Sequence, residues 1–246
     1  MKYSFILPYY KRHKEFELTL RSFSNLYNNR DDFEIIIIED YKSHSDNILH
    51  NELLKVIAKF NFNFIHICYN RHPVYNPSEM FNIGVSRANG EYVILSNPEV
   101  LHQENILQYF DEMLILHPLN YIVCPCKAIK NVTNDLTFDE HIINNDFYQW
   151  YAHPIHRNRP YHFCSVLNKM QYININGFDE EYTKGIAAED DDFIQNIKLN
   201  HIPIIFNSTP IVLHQEHHKD RIDTKLLTIN RDYWYNTKKI IDITYP

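Results

Sequence analysis

Between Gly177 and Phe193 the chain reads Gly-Phe-Asp-Glu-Glu-Tyr-Thr-Lys-Gly-Ile-Ala-Ala-Glu-Asp-Asp-Asp-Phe, so four consecutive carboxylates run from Glu189 to Asp192. Phe193, Ile194 and Ile197 follow at helical spacing, which places the acids in the first turn of an amphipathic helix. A helix start attracts one or two acids, because its first amides lack partners and the dipole is positive there. Four adjacent carboxylates exceed that need and repel one another unless a cation or a proton offsets them. One of Asp191 and Asp192 is expected to cap the helix and the other to face solvent. Alone, such a run reads as a solvated cap. With its glycine-bounded approach and the strand ends described next, it reads as catalytic.

A second set of polar residues closes the apolar runs of the first half. These are Pro8-Tyr9-Tyr10-Lys11-Arg12, Glu39-Asp40-Tyr41-Lys42-Ser43, Asn70-Arg71-His72 and Ser96-Asn97-Pro98-Glu99. In an open α/β sheet ligands bind beyond the carboxyl ends of the strands. Each set alone is ordinary. Together they offer an acid to read a base or ribose, cations for phosphates and an acid for a metal.

The elements that must carry these residues alternate. Strands are predicted at Tyr3–Leu7 (stopped by Pro8), Glu34–Ile38, Phe62–Cys68, Tyr92–Leu95 and Tyr121–Cys124. Helices are predicted at Glu15–Leu26, Asp46–Lys59, Pro77–Arg87 and Glu104–Leu116. This pattern implies a mostly parallel sheet with helices on both faces. From about Lys130 to Tyr161 periodicity fails, and a long irregular segment of that kind is often functional. Order returns with Phe163–Leu167, Lys169–Ile175, the acidic helix, the strands Ile202–Phe206 and Ile211–Leu213, and a last helix over Thr224–Lys239. No repeat or linker divides the chain, so a single α/β domain is expected.

Composition narrows the function. With 246 residues, 44% of them hydrophobic, the chain can bury one substantial core. A net charge of -7 argues against a nucleic-acid binder held by phosphate contacts. The glycines Gly84, Gly90, Gly177 and Gly185 form neither a dinucleotide fingerprint nor a P-loop. Cys68, Cys124, Cys126 and Cys164 lack zinc-finger spacing and read as buried free thiols of a reducing compartment. No apolar run approaches the ~20 residues of a membrane helix. The N-terminus reads as a first strand, not a signal peptide, so a cytoplasmic protein is expected.

The order of these pieces resembles the inverting GT-A glycosyltransferases of the family 2 type, over roughly residues 3 to 218. The strand ending at Pro8 is similar to that family's nucleotide-binding strand, and Ile38-Glu39-Asp40-Tyr41-Lys42-Ser43 resembles its acidic turn. Asn82-Ile-Gly84-Val-Ser-Arg87-Ala-Asn-Gly90 is similar to the helix leading to its metal-binding strand end. Asn174-Ile-Asn-Gly177-Phe-Asp-Glu180 and Glu189-Asp190 resemble the acceptor motif and the pair that holds the general base.

The resemblance implies a GT-A fold: a Rossmann-like, mostly parallel mixed sheet flanked by helices. Residues 1–100 would form the nucleotide-sugar half, 101–218 the acceptor and catalytic half, and 219–246 a helical tail. It implies sugar transfer with inversion from a UDP- or dTDP-linked donor to an acceptor hydroxyl on a glycan, a lipid-linked sugar or a protein. Asp190 would be the base and Glu189 would orient the acceptor. Pro8, Tyr9, Lys11, Asp40, Arg71, Asn82, Arg87 and Asn97 would bind the nucleotide-sugar. Glu99 and His214 would hold Mn2+ or Mg2+, with His217 and His218 as rivals to His214. Trp150, His153, His156, Arg157 and Arg159 would contact the acceptor.

One departure stands out: the family's Asp-any-Asp metal motif is here Asn97-Pro98-Glu99. Two other classes compete. A sugar nucleotidyltransferase would carry a glycine-rich loop after the first strand, which Pro8-Tyr9-Tyr10-Lys11-Arg12 is not. A non-catalytic binding protein on the same fold is favoured by Asn97 and opposed by the Glu189-Asp190 pair.

Overall fold

The computed structural model describes residues 1–41, 47–70, 75–130, 147–217 and 223–245. The first hundred residues build β1 (Tyr3–Tyr9), α1 (His13–Tyr27), β2 (Phe33–Asp40), α2 (Asn47–Ile57), β3 (Phe64–Tyr69), α3 (Pro77–Arg87) and β4 (Tyr92–Ser96). β1, β2 and β4 are buried along their whole length, as apolar runs covered on both faces must be. α1 turns Phe16, Leu20, Phe23 and Tyr27 inward as one stripe at helical spacing. The side chain of Asn76 caps α3 by accepting from the Ser78 amide, with Pro77 at the first helical position.

The second half adds β5 (Val100–His102), α4 (Ile106–Leu116), β6 (Tyr121–Val123), β7 (Cys126–Ile129), β8 (Phe147–Ala152), β9 (Cys164–Asn168), α5 (Lys169–Asn174), α6 (Glu189–Leu199), β10 (Ile204–Phe206), β11 (Val212–Gln215) and α7 (Thr224–Tyr233). A 3-10 turn, Glu180–Lys184, precedes α6, and a π-turn, Trp234–Lys238, follows α7.

The main sheet has the order β10-β6-β9-β4-β1-β2-β3. It is parallel except for β9, which runs antiparallel to β4 and β6. A second sheet, β5-β11-β7-β8, stands beside it. The result is a single α/β domain of mixed, mostly parallel type. One apolar core extends from Tyr3 on β1 to Phe206 on β10.

Three expectations change. Pro8 does not stop β1: it pairs with Ile38, while the ladder to β4 ends at Ile6, leaving a strand on one side only. Proline is tolerated in that edge-like setting. The irregular stretch before Tyr161 contains a strand, β8, whose bulged pairing with β7 hides the period-2 signal. Cys124, Cys126 and Cys164 are buried, but Cys68 is exposed.

Candidate active site

The carboxyl ends of β1 and β4, the N-terminus of α3 and the start of α6 surround a cleft of about 800 Å³. Two chemical groupings face it.

The first is built by the small sheet. β11 pairs antiparallel with β5, setting His214 opposite Val100 and therefore beside Glu99. His214 Nε2 lies 3.2 Å from Glu99 Oε1, and His217 Nε2 lies 3.4 Å from the same oxygen. Burial alone would raise the Glu99 carboxyl, but the two imidazoles outweigh it and hold the group well below the usual carboxylate range. Tyr151 and Phe163 meet the His214 ring edge-on and fix it. The donor atoms of Glu99, His214 and His217 all lie within 4.8 Å of one another. His214 Nδ1 is buried without a hydrogen-bond partner among the described residues. A carboxylate with two imidazoles fits a divalent transition ion such as Mn2+.

The second grouping is the acidic start of α6, positioned by a chain of contacts that begins at Gly177. Gly177 sits at φ 57, where a side chain would be strained. Asn82 clamps the turn: its Oδ1 accepts from the Phe178 amide at 3.0 Å and from Tyr172 Oη at 2.7 Å, and its Nδ2 donates to the Phe178 carbonyl at 2.9 Å. Phe178 then stacks on Phe193 of α6. His162 stands edge-on to Phe81 and Phe178, boxed by rings. Its Nε2 points at Asp190.

Before α6 the chain passes through Ala187 and Ala188, both at positive φ. Non-glycine residues hold that conformation only when neighbours impose it. Here Asn230 of α7 donates to the Ala187 carbonyl, and the Leu226 carbonyl accepts from the Ile186 amide.

Electrostatics separate the four acids. Burial pushes Glu189 up to about 6, opposed by hydrogen bonds from a backbone amide and Asn76. Burial, then the Glu189 and Asp191 charges, drives the Asp190 carboxyl well above its ordinary range. Asp191 accepts from Tyr161 Oη at 2.7 Å. Asp192 is buried, 3.9 Å from Lys238 Nζ. Neither Asp191 nor Asp192 plays its expected part: α6 has no side-chain cap, and neither acid points freely into solvent.

The other predicted residues divide. Pro8, Asn97, Glu99, Glu189 and Asp190 line the cleft, and so do Arg157 and His217. His214 stands behind Glu99. Tyr9 does not reach the cleft: it packs on Phe16 in the core, and Tyr10 takes its place. Asn82 is spent on the Gly177 turn and lines a separate cleft with Asp179 and Glu180. Arg87 is exposed in the last turn of α3, and neither it nor Lys11 lines the cleft; Lys11 lies over the Tyr10 ring. Asp40 is buried at the end of β2 without lining the cleft. Arg71, Ser43 and His218 lie outside the described residues.

Sequence reasoning missed Tyr75, Asn76 and His162. Tyr75 stacks on Tyr10 at the cleft wall, and Asn76 Nδ2 donates to Glu189 Oε2 at 3.4 Å. The Asn-Pro start of α3 was the available signal for Asn76. His162 carried none.

The model of glycosyl transferase family 2 matches residues 4–178. The chain belongs to that family. The matched range holds Asn97 and Glu99 but ends before α6 and β11. No curated protein sequence matches this family 2 chain.

Among solved structures it is similar to S. aureus TarS 1-349 in complex with UDP-GlcNAc, at 18% identity and a TM-score of 0.62 over 89% of this chain. It spans 60% of that structure's chain. TarS 1-349 in complex with UDP gives 17% identity and a TM-score of 0.60, over 96% of this chain and 72% of the other. The mannosyltransferase PcManGT from Pyrobaculum calidifontis, in complex with GDP-Man and Mn2+, gives 14% identity and a TM-score of 0.56, over 86% and 56%. The shared architecture is the GT-A fold. Among the described residues no helix is long and apolar enough to cross a membrane.

Proposed function

We propose that this chain transfers a sugar from a nucleotide-diphosphate donor, UDP- or dTDP-linked, to an acceptor hydroxyl with inversion. One observation carries the reading: Asp190 and the Glu99–His217 pair line the same cleft, so a base and a diphosphate site face a common substrate volume. TarS structures hold UDP or UDP-GlcNAc and PcManGT holds GDP-Man with Mn2+, which supports a nucleotide-sugar donor.

In this reading Asp190 takes the proton of the acceptor hydroxyl as its oxygen bonds to the anomeric carbon. The bond from that carbon to the diphosphate oxygen breaks, and the diphosphate leaves with the electron pair. A raised carboxyl suits a base, because its proton affinity then lies nearer the working pH. Glu189, held by Asn76, orients the acceptor. Tyr10 and Tyr75 offer aromatic faces at the end of β1 for the nucleobase, beside Pro8, while Asn97 contacts the ribose. Glu99, His214 and His217 would hold a divalent cation, which when bound neutralises the diphosphate charge. Arg12 and Arg157, which line the same cleft, add cationic side chains to it.

The test is a thermal-shift screen with UDP, dTDP, GDP and CDP, each with and without Mn2+, followed by transfer assays on Asp190→Asn. A single nucleoside diphosphate should raise the melting temperature through its binding to the native state. Asp190→Asn should keep that binding and lose transfer by about 10²–10⁴-fold. Undiminished transfer in the variant would remove Asp190 as the base. Stabilisation by a nucleotide without transfer of any sugar would favour the non-catalytic binding protein that Asn97 suggests.

A further inference from the structure

Away from the cleft, three elements aim four metal-ligating side chains at one point. Glu39 stands near the end of β2, His66 and Cys68 on β3, and His50 on α2. The parallel register sets Ile37 opposite His66 and Glu39 opposite Cys68. With side chains alternating along each strand, Glu39, His66 and Cys68 share the sheet face on which His50 lies. His50 Nδ1 is 2.7 Å and His66 Nε2 2.9 Å from Glu39 Oε2, and Cys68 Sγ is 3.9 Å from the same oxygen. The two imidazoles stack with centroids 5.5 Å apart. All four donor atoms lie within 4.8 Å of one another.

We propose that Glu39, His50, His66 and Cys68 form a zinc site. Zinc takes four ligands drawn from thiolate, imidazole and carboxylate. Its bond lengths set neighbouring donors roughly 3.3–3.7 Å apart, so the four side chains need to move by about 1 Å or less. A thiolate among the ligands selects zinc over Mg2+ or Mn2+, whereas the Glu99 grouping in the cleft contains no thiol. Glu39 is buried while Cys68 is exposed, so the site is anchored at the sheet and open to solvent at its sulfur. Zinc takes the sulfur as thiolate, so binding releases the Cys68 thiol proton and tightens as pH rises. The ion ties α2 to the ends of β2 and β3 next to Asp40, and it needs no nucleotide or acceptor.

The experiment uses the full chain, stripped with a chelator and titrated with Co2+ and then Zn2+. Expected are the visible bands of a tetrahedral Co2+ ion, a thiolate-to-cobalt charge-transfer band in the near ultraviolet that saturates with one equivalent at this site, and displacement by Zn2+ with a rise in melting temperature. Cys68→Ser should abolish the charge-transfer band and His66→Gln should abolish tight binding, while Glu99→Gln should retain both. Absence of the charge-transfer band in the wild-type chain, or its survival in Cys68→Ser, would overturn the site. Cobalt binding that disappears in Glu99→Gln but not in His66→Gln would place the ion in the cleft and overturn it equally. None of these readouts depends on glycosyl transfer.

Discussion

His162 presents Nε2 to Asp190 Oδ1 at 3.4 Å, and its Nδ1 has no hydrogen-bond partner among the described residues. Burial drives the imidazole down to about 3, so it is neutral at physiological pH. In the Nε2–H tautomer the ring acts on Asp190 as a dipole, and an N–H aimed at a carboxylate favours its ionised form, the form the proposed base role needs. His162→Phe keeps an aromatic ring among Phe81, Phe178 and Phe193 while removing that N–H. The variant should fold, keep the donor KM and lose about tenfold in kcat, matching ~1.4 kcal/mol. The acid limb of its kcat/KM profile should move to higher pH, because Asp190 loses a group that favours its charge. An unchanged pH profile would reduce His162 to a packing residue.

Glu99 is the carboxylate shared by His214 and His217, so neutralising it should remove the proposed cation site while leaving Tyr10 and Tyr75 in place. In Glu99→Gln, the added melting temperature that Mn2+ gives to a bound nucleoside diphosphate should vanish. Stabilisation by the nucleotide alone should persist. If Mn2+ still adds its increment, the cation is held elsewhere than at Glu99.

The fold was legible because its signals are local. The β-branched run of β2 and the Asn-Pro start of α3 each declare themselves within a few residues, and α3 runs from Pro77 to Arg87 as read from the sequence. Glu99 was visible as a polar residue closing an apolar run, whereas His214 entered through the family resemblance, and only the pairing of β11 with β5 brings the two side by side. His162 was not, because what makes it distinctive is its three phenylalanine neighbours, drawn from α3, α6 and the Gly177 turn. Tyr9 and Tyr10 could not be told apart either. The two-residue strand period fixes that they face opposite ways, but only packing against α1 decides which one enters the core.

Asp192 gives the pH dependence of stability a definite sign. Burial raises its carboxyl to about 6, with Lys238 opposing, against about 3.9 in an unfolded chain. A raised folded value means that this contribution is fully present below the unfolded value and is lost as pH rises through 6. The loss is on the order of 2–3 kcal/mol. Asp192→Asn should therefore stabilise the protein at pH 7.5 in urea denaturation, and the gain should fade toward pH 4. Equal stabilities of the two proteins at every pH would show that Lys238 fully compensates the buried charge.

Gly177 tests whether the turn governs the site from a distance. A Cβ at this position would stand 2.4 Å from Asn82 Oδ1 and 2.5 Å from Tyr172 Cε1, on a backbone already at φ +57. Gly177→Ala should cost about 2–3 kcal/mol from the left-handed conformation and the displaced neighbours together. The consequence should extend to catalysis. Asn82 can no longer hold the Phe178 amide, Phe178 shifts against Phe193, and the box around His162 loosens. At a temperature where the variant remains folded, kcat should fall while nucleoside diphosphate affinity stays near wild type, because Pro8, Tyr10 and Tyr75, proposed above to meet the nucleobase, lie at the end of β1 and just ahead of α3. Equal losses in kcat and in nucleotide affinity would point to general loosening and sever the proposed link from the turn to Asp190.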